Sequence, residues 1–340
     1  MASSVHGGSR KARRRRLEPS LALCLCFANP GNAGDLLLPL ACDVGRTCFI
    51  QNYVDIDDGP SATDYMCGTL TYDGHNGVDF RIPSNGPQQN PVAVLAAAGG
   101  KVLRVRDGLV DRPVKGDRRD AVSGQECGNG VVIEHAGNRE TQYCHMAKGS
   151  ILVKSGDTIR AGQALGSVGM SGLTEYPHLH FVLRREGKVI DPFGGIPRAG
   201  FCERSAENEW TEDVRARLAY VPRVVLNHGF STEAITNELI EDGVAAQRQP
   251  TANAEALVAY VRTIGLKAGD SHTLAMRDPD GKVIAENRPA AIARNQAQTI
   301  LFAGKKRSDR NWPRGTYTGT YTVDRSGETV LQHRFQLDLQ

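Results

Sequence analysis

The sequence predicts an all-β protein of two successive domains, an antiparallel β-sheet domain followed by a smaller β-sandwich of immunoglobulin-like type. Three observations lead there. The 340 residues include 37 Gly and 16 Pro, a composition that favours turns and short strands over long helices. Short apolar runs rich in Val, Ile, Leu and aromatics recur between Gly-, Asn- and Asp-containing breaks, the signature of successive strands. The length suits two domains behind a leader, and a 40% hydrophobic content can fill their cores.

Residues 1–34 read as a signal peptide or a disordered basic leader. Arg10 to Arg16 is followed by the apolar stretch Leu21 to Ala28 and then by small residues around Ala33 and Gly34, the order of a secretory signal. That basic run alone supplies +6 of a net charge of +3, leaving −3 for the rest. A nucleic-acid partner is therefore not expected, because such binding needs a basic folded face. No other apolar run reaches the ~18–20 residues needed to cross a bilayer, so no transmembrane segment is expected. The protein is read as periplasmic or secreted.

Residues 35–70 read as an extended, cysteine-containing arm. From 71 to 195 the pattern is β: Val92–Ala97 and Lys101–Val105 flank Gly99-Gly100, a hairpin signal, and Gly130–His135 and Glu140–His145 flank a second turn. The strand His178–Leu183 ends in a turn at Arg184–Lys188. Residues 196–220 read as a linker with a short helical run near Glu207–Leu218. From 221 to 340, runs at Arg223–Leu226, Ala256–Val261, His272–Met276, Gln298–Phe302, Gly315–Val323 and Glu328–Leu337 are spaced like the strands of a sandwich.

Of eight cysteines, Cys24 and Cys26 lie in the leader, leaving six between Cys42 and Cys202. An even number confined to one part of the chain points to disulfides in an oxidising compartment. Spacing favours Cys42–Cys48, Cys127–Cys144 and Cys67–Cys202. The paired C-x₂-C spacing of a structural zinc site is absent.

Three motifs carry the chemistry: His75-Asn76-Gly77-Val78-Asp79, Tyr143-Cys144-His145 and His178-Leu179-His180. Two imidazoles and a carboxylate with an open fourth position are a common catalytic zinc arrangement. His178 and His180 share one face of a strand. His75 and Asp79 would lie ~13 Å apart in an extended strand, so they converge only if the chain bends, and Asn76-Gly77 tolerates a bend. Tyr143 is read as packing, and His6, His135, His228, His272 and His333 as structural or surface residues.

With Ser171-Gly172 and Pro177-His178-Leu179-His180-Phe181, the series resembles the lysostaphin-like, LytM-type zinc endopeptidases of peptidoglycan, over about residues 70–195. The resemblance implies a β-sheet groove, one zinc ion held by His75, Asp79 and His180, and non-ligand catalytic histidines at His145 and His178, His178 being favoured as base. It implies peptidoglycan as substrate. Tyr176 stands where such proteins commonly carry Gly, and Cys144 lies inside the Y-x-H motif. The C-terminal domain, which has no catalytic motif, is expected to bind cell wall or a protein partner, or to pack on the peptidase. The competing readings are a non-enzymatic LytM-type regulator of another wall hydrolase and a peptidase acting on proteins.

Overall fold

Strands carry nearly all the regular structure. The computed structural model describes residues 1–4, 35–84, 91–114, 120–194, 208–308 and 310–340. Residues 5–34 of the expected leader, residues 196–207 of the expected linker, and Cys202 lie outside the described residues.

The N-terminal half contains β1 (Phe49–Asn52), β2 (Val78–Arg81), β3 (Ala93–Leu95), β4 (Gly100–Arg106), β5 (Asn129–His135), β6 (Arg139–Met146), β7 (Thr158–Ile159), β8 (Ala164–Ser167), β9 (His178–Arg185) and β10 (Lys188–Ile190). An antiparallel sheet runs in the order β1-β2-β9-β6-β5-β4-β7, with β10 also paired to β9. Strand alternation sorts its two faces. Val78 and Phe80 of β2, Tyr143 of β6, and Leu179, Phe181 and Leu183 of β9 pack in one buried core, leaving Asp79, His178 and His180 to the other face. Trp210 closes the core edge-on against Phe80, ring centroids 6.1 Å apart.

The hairpins β5–β6 and β9–β10 form where the turn residues place them. The hairpin expected at Gly99-Gly100 does not: β3 pairs with β8 in a separate two-stranded sheet, while β4 joins β5 and β7. At Gly100 a Cβ would fall 2.1 Å from the Glu134 carbonyl oxygen, so the glycine serves close strand approach rather than a tight turn. Residues 35–70 are woven into this half. Leu36 and Leu40 are fully buried, and β1 pairs with β2. Disulfides join Cys42 to Cys48 and Cys127 to Cys144. Cys67 is disulfide-bonded, but its expected partner Cys202 falls outside the described residues.

Helix α1 (Glu212–Arg217) is capped by the Thr211 side chain, which accepts from Val214 N. Beyond it come β11 (Val224–Ser231), the short helices α2 (Asn237–Glu241) and α3 (Val244–Gln247), β12 (Ala256–Leu266), β13 (Ser271–Arg277), β14 (Val283–Asn287), β15 (Gln296–Lys306), β16 (Gly315–Arg325) and β17 (Glu328–Leu339). They make two sheets, β11-β12-β15 and β14-β13-β16-β17. Leu257, Ala259 and Val261 from the first meet Leu274, Tyr317, Tyr321 and Phe335 from the second in one core. This is an immunoglobulin-like arrangement of seven strands.

The sandwich is moored to the large sheet by buried contacts. Arg81 Nη2 of β2 lies 2.6 Å from Glu241 Oε1 of α2, and Arg262 of β12 donates to the same oxygen and to the Pro83 carbonyl. Phe49 of β1 packs with Leu226 and Ile264 of the sandwich.

Candidate metal and catalytic centre

The centre forms where three strands of the large sheet meet. In the register of the sheet Asp79 of β2 lies directly across from His180 of β9, and Cys144 of β6 lies across from the same His180 on the other side. His75 precedes β2 and the chain turns between the two, so that His75 Nε2 comes within 3.1 Å of Asp79 Oδ1. Gly77 makes that turn possible: a Cβ there would stand 2.6 Å from His180 Cε1 and 2.7 Å from the Phe181 carbonyl oxygen. The bend expected at Asn76-Gly77 is therefore present, and the physical reason is close approach of the backbone to β9.

His75, Asp79 and His180 each offer a ligand atom, all within 4.8 Å of one another. His180 Nδ1 lies 2.8 Å from Asp79 Oδ1 and 3.2 Å from His75 Nε2. A tetrahedral ion with bonds of ~2.0–2.1 Å sets its ligand atoms roughly 3.3 Å apart, close to this spacing. The atoms facing away are each engaged. His75 Nδ1 donates to the Tyr53 carbonyl at 2.6 Å, His180 Nε2 pairs with Asn76 Oδ1 at 3.1 Å, and Asp79 Oδ2 accepts from Asn52 Nδ2 at 2.8 Å. Such outer partners fix ring orientation and leave the inner nitrogen lone pair free for a cation. The donor set fits a borderline divalent metal.

Two further imidazoles stand beside this cluster. The His145 and His178 ring centroids are 4.6 Å apart, and His145 is 5.9 Å from His180. Simple alternation along β6 would put His145 on the core face with Tyr143. Its backbone instead takes a left-handed φ of 62°, a conformation of about 1–3 kcal/mol cost found at functional positions, and the ring stays with the other histidines. His145 Nδ1 donates to the Ser171 carbonyl at 2.8 Å, and His178 Nδ1 to the Tyr176 carbonyl at 2.9 Å. A carbonyl only accepts, so each neutral ring keeps Nε2 as an unprotonated acceptor.

The electrostatics agree. Burial pushes His178 down to about 4. Burial, reinforced by the proximity of the His178 and His180 rings, pushes His145 well below the usual imidazole range. His180 is lowered by burial against the opposing pull of Asp79. For Asp79, burial works upward, but His75, His178 and the hydrogen bonds from His180 and His75 hold it well below the usual carboxylate range. In His75, burial works downward and is outweighed by Asp79, so the ring is raised. Near neutral pH the centre holds a carboxylate and neutral imidazoles at His145, His178 and His180.

All five residues singled out from the sequence come together here. Tyr143 does not. It is buried in the core, where its hydroxyl accepts from Ala97 N at 2.8 Å. Three residues that no motif marked also shape the site. Asn52 holds Asp79. Tyr176 accepts from Asn52 Nδ2 at 3.2 Å and lies against the His178 ring, centroids 4.8 Å apart. Arg81 sits over the Tyr176 ring at 3.9 Å. The sole sequence signal for any of them was Tyr176 standing where a Gly was expected.

The family model described as Peptidase family M23 matches residues 73–192. Two peptidoglycan DD-endopeptidases of Vibrio cholerae are similar to this chain. ShyB is 33% identical over 34% of this chain and 22% of its own length, and ShyA is 32% identical over 37% and 24%. A DD-carboxypeptidase/endopeptidase Mpg of Neisseria meningitidis is 27% identical over 44% of this chain and 31% of its own. The chain thus spans only about a quarter of the length of the two Vibrio relatives. Among solved structures, the catalytic domain of lysostaphin from Staphylococcus simulans is 23% identical and covers 42% of this chain and 85% of its own, with a TM-score of 0.27. Among the described residues no helix is long and apolar enough to cross a membrane. His75, Asp79, His145, His178 and His180 all fall inside residues 73–192, the stretch of this chain that the Peptidase family M23 model matches.

Proposed function

We propose that this protein is a zinc metalloendopeptidase that hydrolyses peptide cross-links or stem peptides of peptidoglycan, in the periplasm or outside the cell. The observation that carries it is the convergence of the His75, Asp79 and His180 ligand atoms within 4.8 Å of one another, with His145 and His178 beside them. The relatives named as peptidoglycan endopeptidases support the substrate.

His75 Nε2, Asp79 Oδ1 and His180 Nδ1 would hold one zinc ion. When bound, the ion supplies Lewis-acid polarisation of the scissile carbonyl and makes water a stronger nucleophile near neutral pH. His178 is assigned as the base. Its Nε2 is kept as an acceptor by the Tyr176 carbonyl, and Asp79 Oδ1 at 3.5 Å stabilises the cation that forms when it takes the proton. His145 has no carboxylate so close, and burial together with both neighbouring histidines pushes it down, so the second role falls to it. It is assigned to the oxygen on which negative charge develops, to which its Nε2 donates after taking up a proton from solvent water.

A regulator without activity has no need of all five side chains, and all five are present. The test is metal content together with digestion of purified peptidoglycan by the leaderless protein, with and without a chelator. One zinc and chelator-sensitive release of wall peptides are expected. His180→Ala should lose zinc and activity together, while His178→Ala should keep zinc and lose turnover. Zinc without release would establish the regulator instead, and cleavage of a protein panel in preference to wall would move the substrate.

A further inference from the structure

The cleft that holds His145 and His178, about 550 Å³ in volume, is lined by both halves of the protein. Thr71, Tyr72 and Tyr176 come from the N-terminal half. Gly265 and Leu266 at the end of β12, and Asn295, Gln296 and Ala297 at the start of β15, come from the sandwich. Leu266 and Gln296 are partners in the β12–β15 ladder, so this part of the lining is sheet edge rather than free loop.

We propose that Asn295–Ala297 of the C-terminal sandwich is a substrate-binding subsite, contacting the peptide arm of the substrate beside the reacting bond. This rests on the proposed peptidase function and assigns the sandwich a part in the same site. Three observations hold that wall in place. Arg81 and Arg262 share Glu241 across the joint, and both guanidinium-bearing side chains are 0% exposed. Phe49 packs into Leu226 and Ile264. At Gly265, whose φ is +77°, a Cβ would fall 2.3 Å from the Pro222 carbonyl oxygen and 3.0 Å from Leu70 Cδ2. The sandwich thus meets the 69–72 segment of the cleft without a gap.

The chemistry of the lining selects the occupant. None of the described lining residues is Lys or Arg, so the cleft is not built to take a phosphate or carboxylate polymer. It offers carboxamides instead. Gln296 carries both a donor and an acceptor, and Asn295 uses Oδ1 to accept from Ala268 N at 3.1 Å, which turns its amide donor to other use. Deeper in the cleft Gln51 is 3% exposed, and its Nε2 has no hydrogen-bond partner. Carboxamides match the alternating N–H and C=O groups of an extended peptide, so the subsite reads main chain and accepts small side chains at Ala297.

The experiment uses the full chain in a His178→Ala background, which halts turnover. Binding of soluble cross-linked muropeptides prepared from purified sacculi is measured by calorimetry. Ala297→Trp, which fills the subsite, should weaken binding roughly tenfold or more, and Gln296→Ala about fivefold, the worth of one net hydrogen bond. Zinc content and melting temperature should stay at the parent's values. Parent-like binding by both variants would overturn the subsite and leave the peptidase reading standing. A parent that binds no muropeptide would overturn the peptidoglycan reading and the subsite with it. If Ala297→Trp melts early, Gln296→Ala decides alone.

Discussion

The backbone N–H of His145 donates to the carbonyl of Cys127 at 2.8 Å, one residue from the bond that joins Cys127 to Cys144. The covalent link and the hydrogen bond together clamp the one histidine of the site that holds a left-handed backbone. The cysteine inside the Y-x-H motif is thus a brace for the His145 backbone.

Replacing Cys127 and Cys144 together by alanine should lower unfolding free energy by about 3 kcal/mol, as for a closed loop of this size. Turnover on peptidoglycan should fall further than that loss explains, with zinc retained, because His145 stands outside the proposed ligand set. Denaturant titration, metal analysis and wall digestion measure the three effects. Unchanged turnover in a protein that is folded at the assay temperature would show that the brace does not hold His145.

Gly77→Ala should cost the site its metal. The added methyl must displace the His180 ring or the β9 backbone, and a misplacement of ~1 Å in such a site costs on the order of a hundredfold in activity. Zinc affinity, measured by competition with a chromogenic chelator, should drop in parallel. A Gly77→Ala protein with parental affinity would remove close approach as the reason for this glycine.

Asp191 is buried, and burial raises its carboxyl to about 7. The folded state therefore holds a proton that the unfolded chain has released, so stability is full below about pH 4 and is lost as pH rises through 7. At about 1.4 kcal/mol per pKa unit the whole excursion is a little over 4 kcal/mol. Asp191→Asn, which stays neutral, should be the more stable protein at pH 8 and nearly matched to the parent at pH 4. Equal denaturation midpoints across that range would contradict the assignment.

Glu241→Gln removes the one carboxylate shared by Arg81 and Arg262. Leaving buried guanidinium groups without an anion costs about 3–5 kcal/mol, read as a lowered denaturant midpoint. A loss under about 1 kcal/mol would mean that the two arginines find other acceptors.

The chemistry-bearing residues were legible because they sit in short rigid strings. His178 and His180 share a strand face by period, and Asn76-Gly77 announces the bend between His75 and Asp79. Most of the long strands were legible for the same reason, since β5, β6, β9, β12 and β16 each contain an uninterrupted run. Strands β1 and β2 were not, because four-residue elements that are buried throughout or nearly so show no alternation. Pairing of β3 with β8 depends on partners about 70 residues apart, which no local turn signal encodes. Asn52, Arg81 and Glu241 escaped for a related reason: their roles exist only through residues 27 and 160 positions distant.

The shared carboxylate also bears on inheritance. Arg81 stands two residues after Asp79 and leans on Tyr176, yet the anion that neutralises it lies 160 positions along the chain. A gene fragment ending before the sandwich would encode the M23-matched stretch with a bare cation two residues from Asp79 and an uncovered Phe49. The M23 portion is therefore not an interchangeable cassette. Shuffling it onto another carrier would require rewriting position 81 first, and lineages that keep this arginine should keep the sandwich with it.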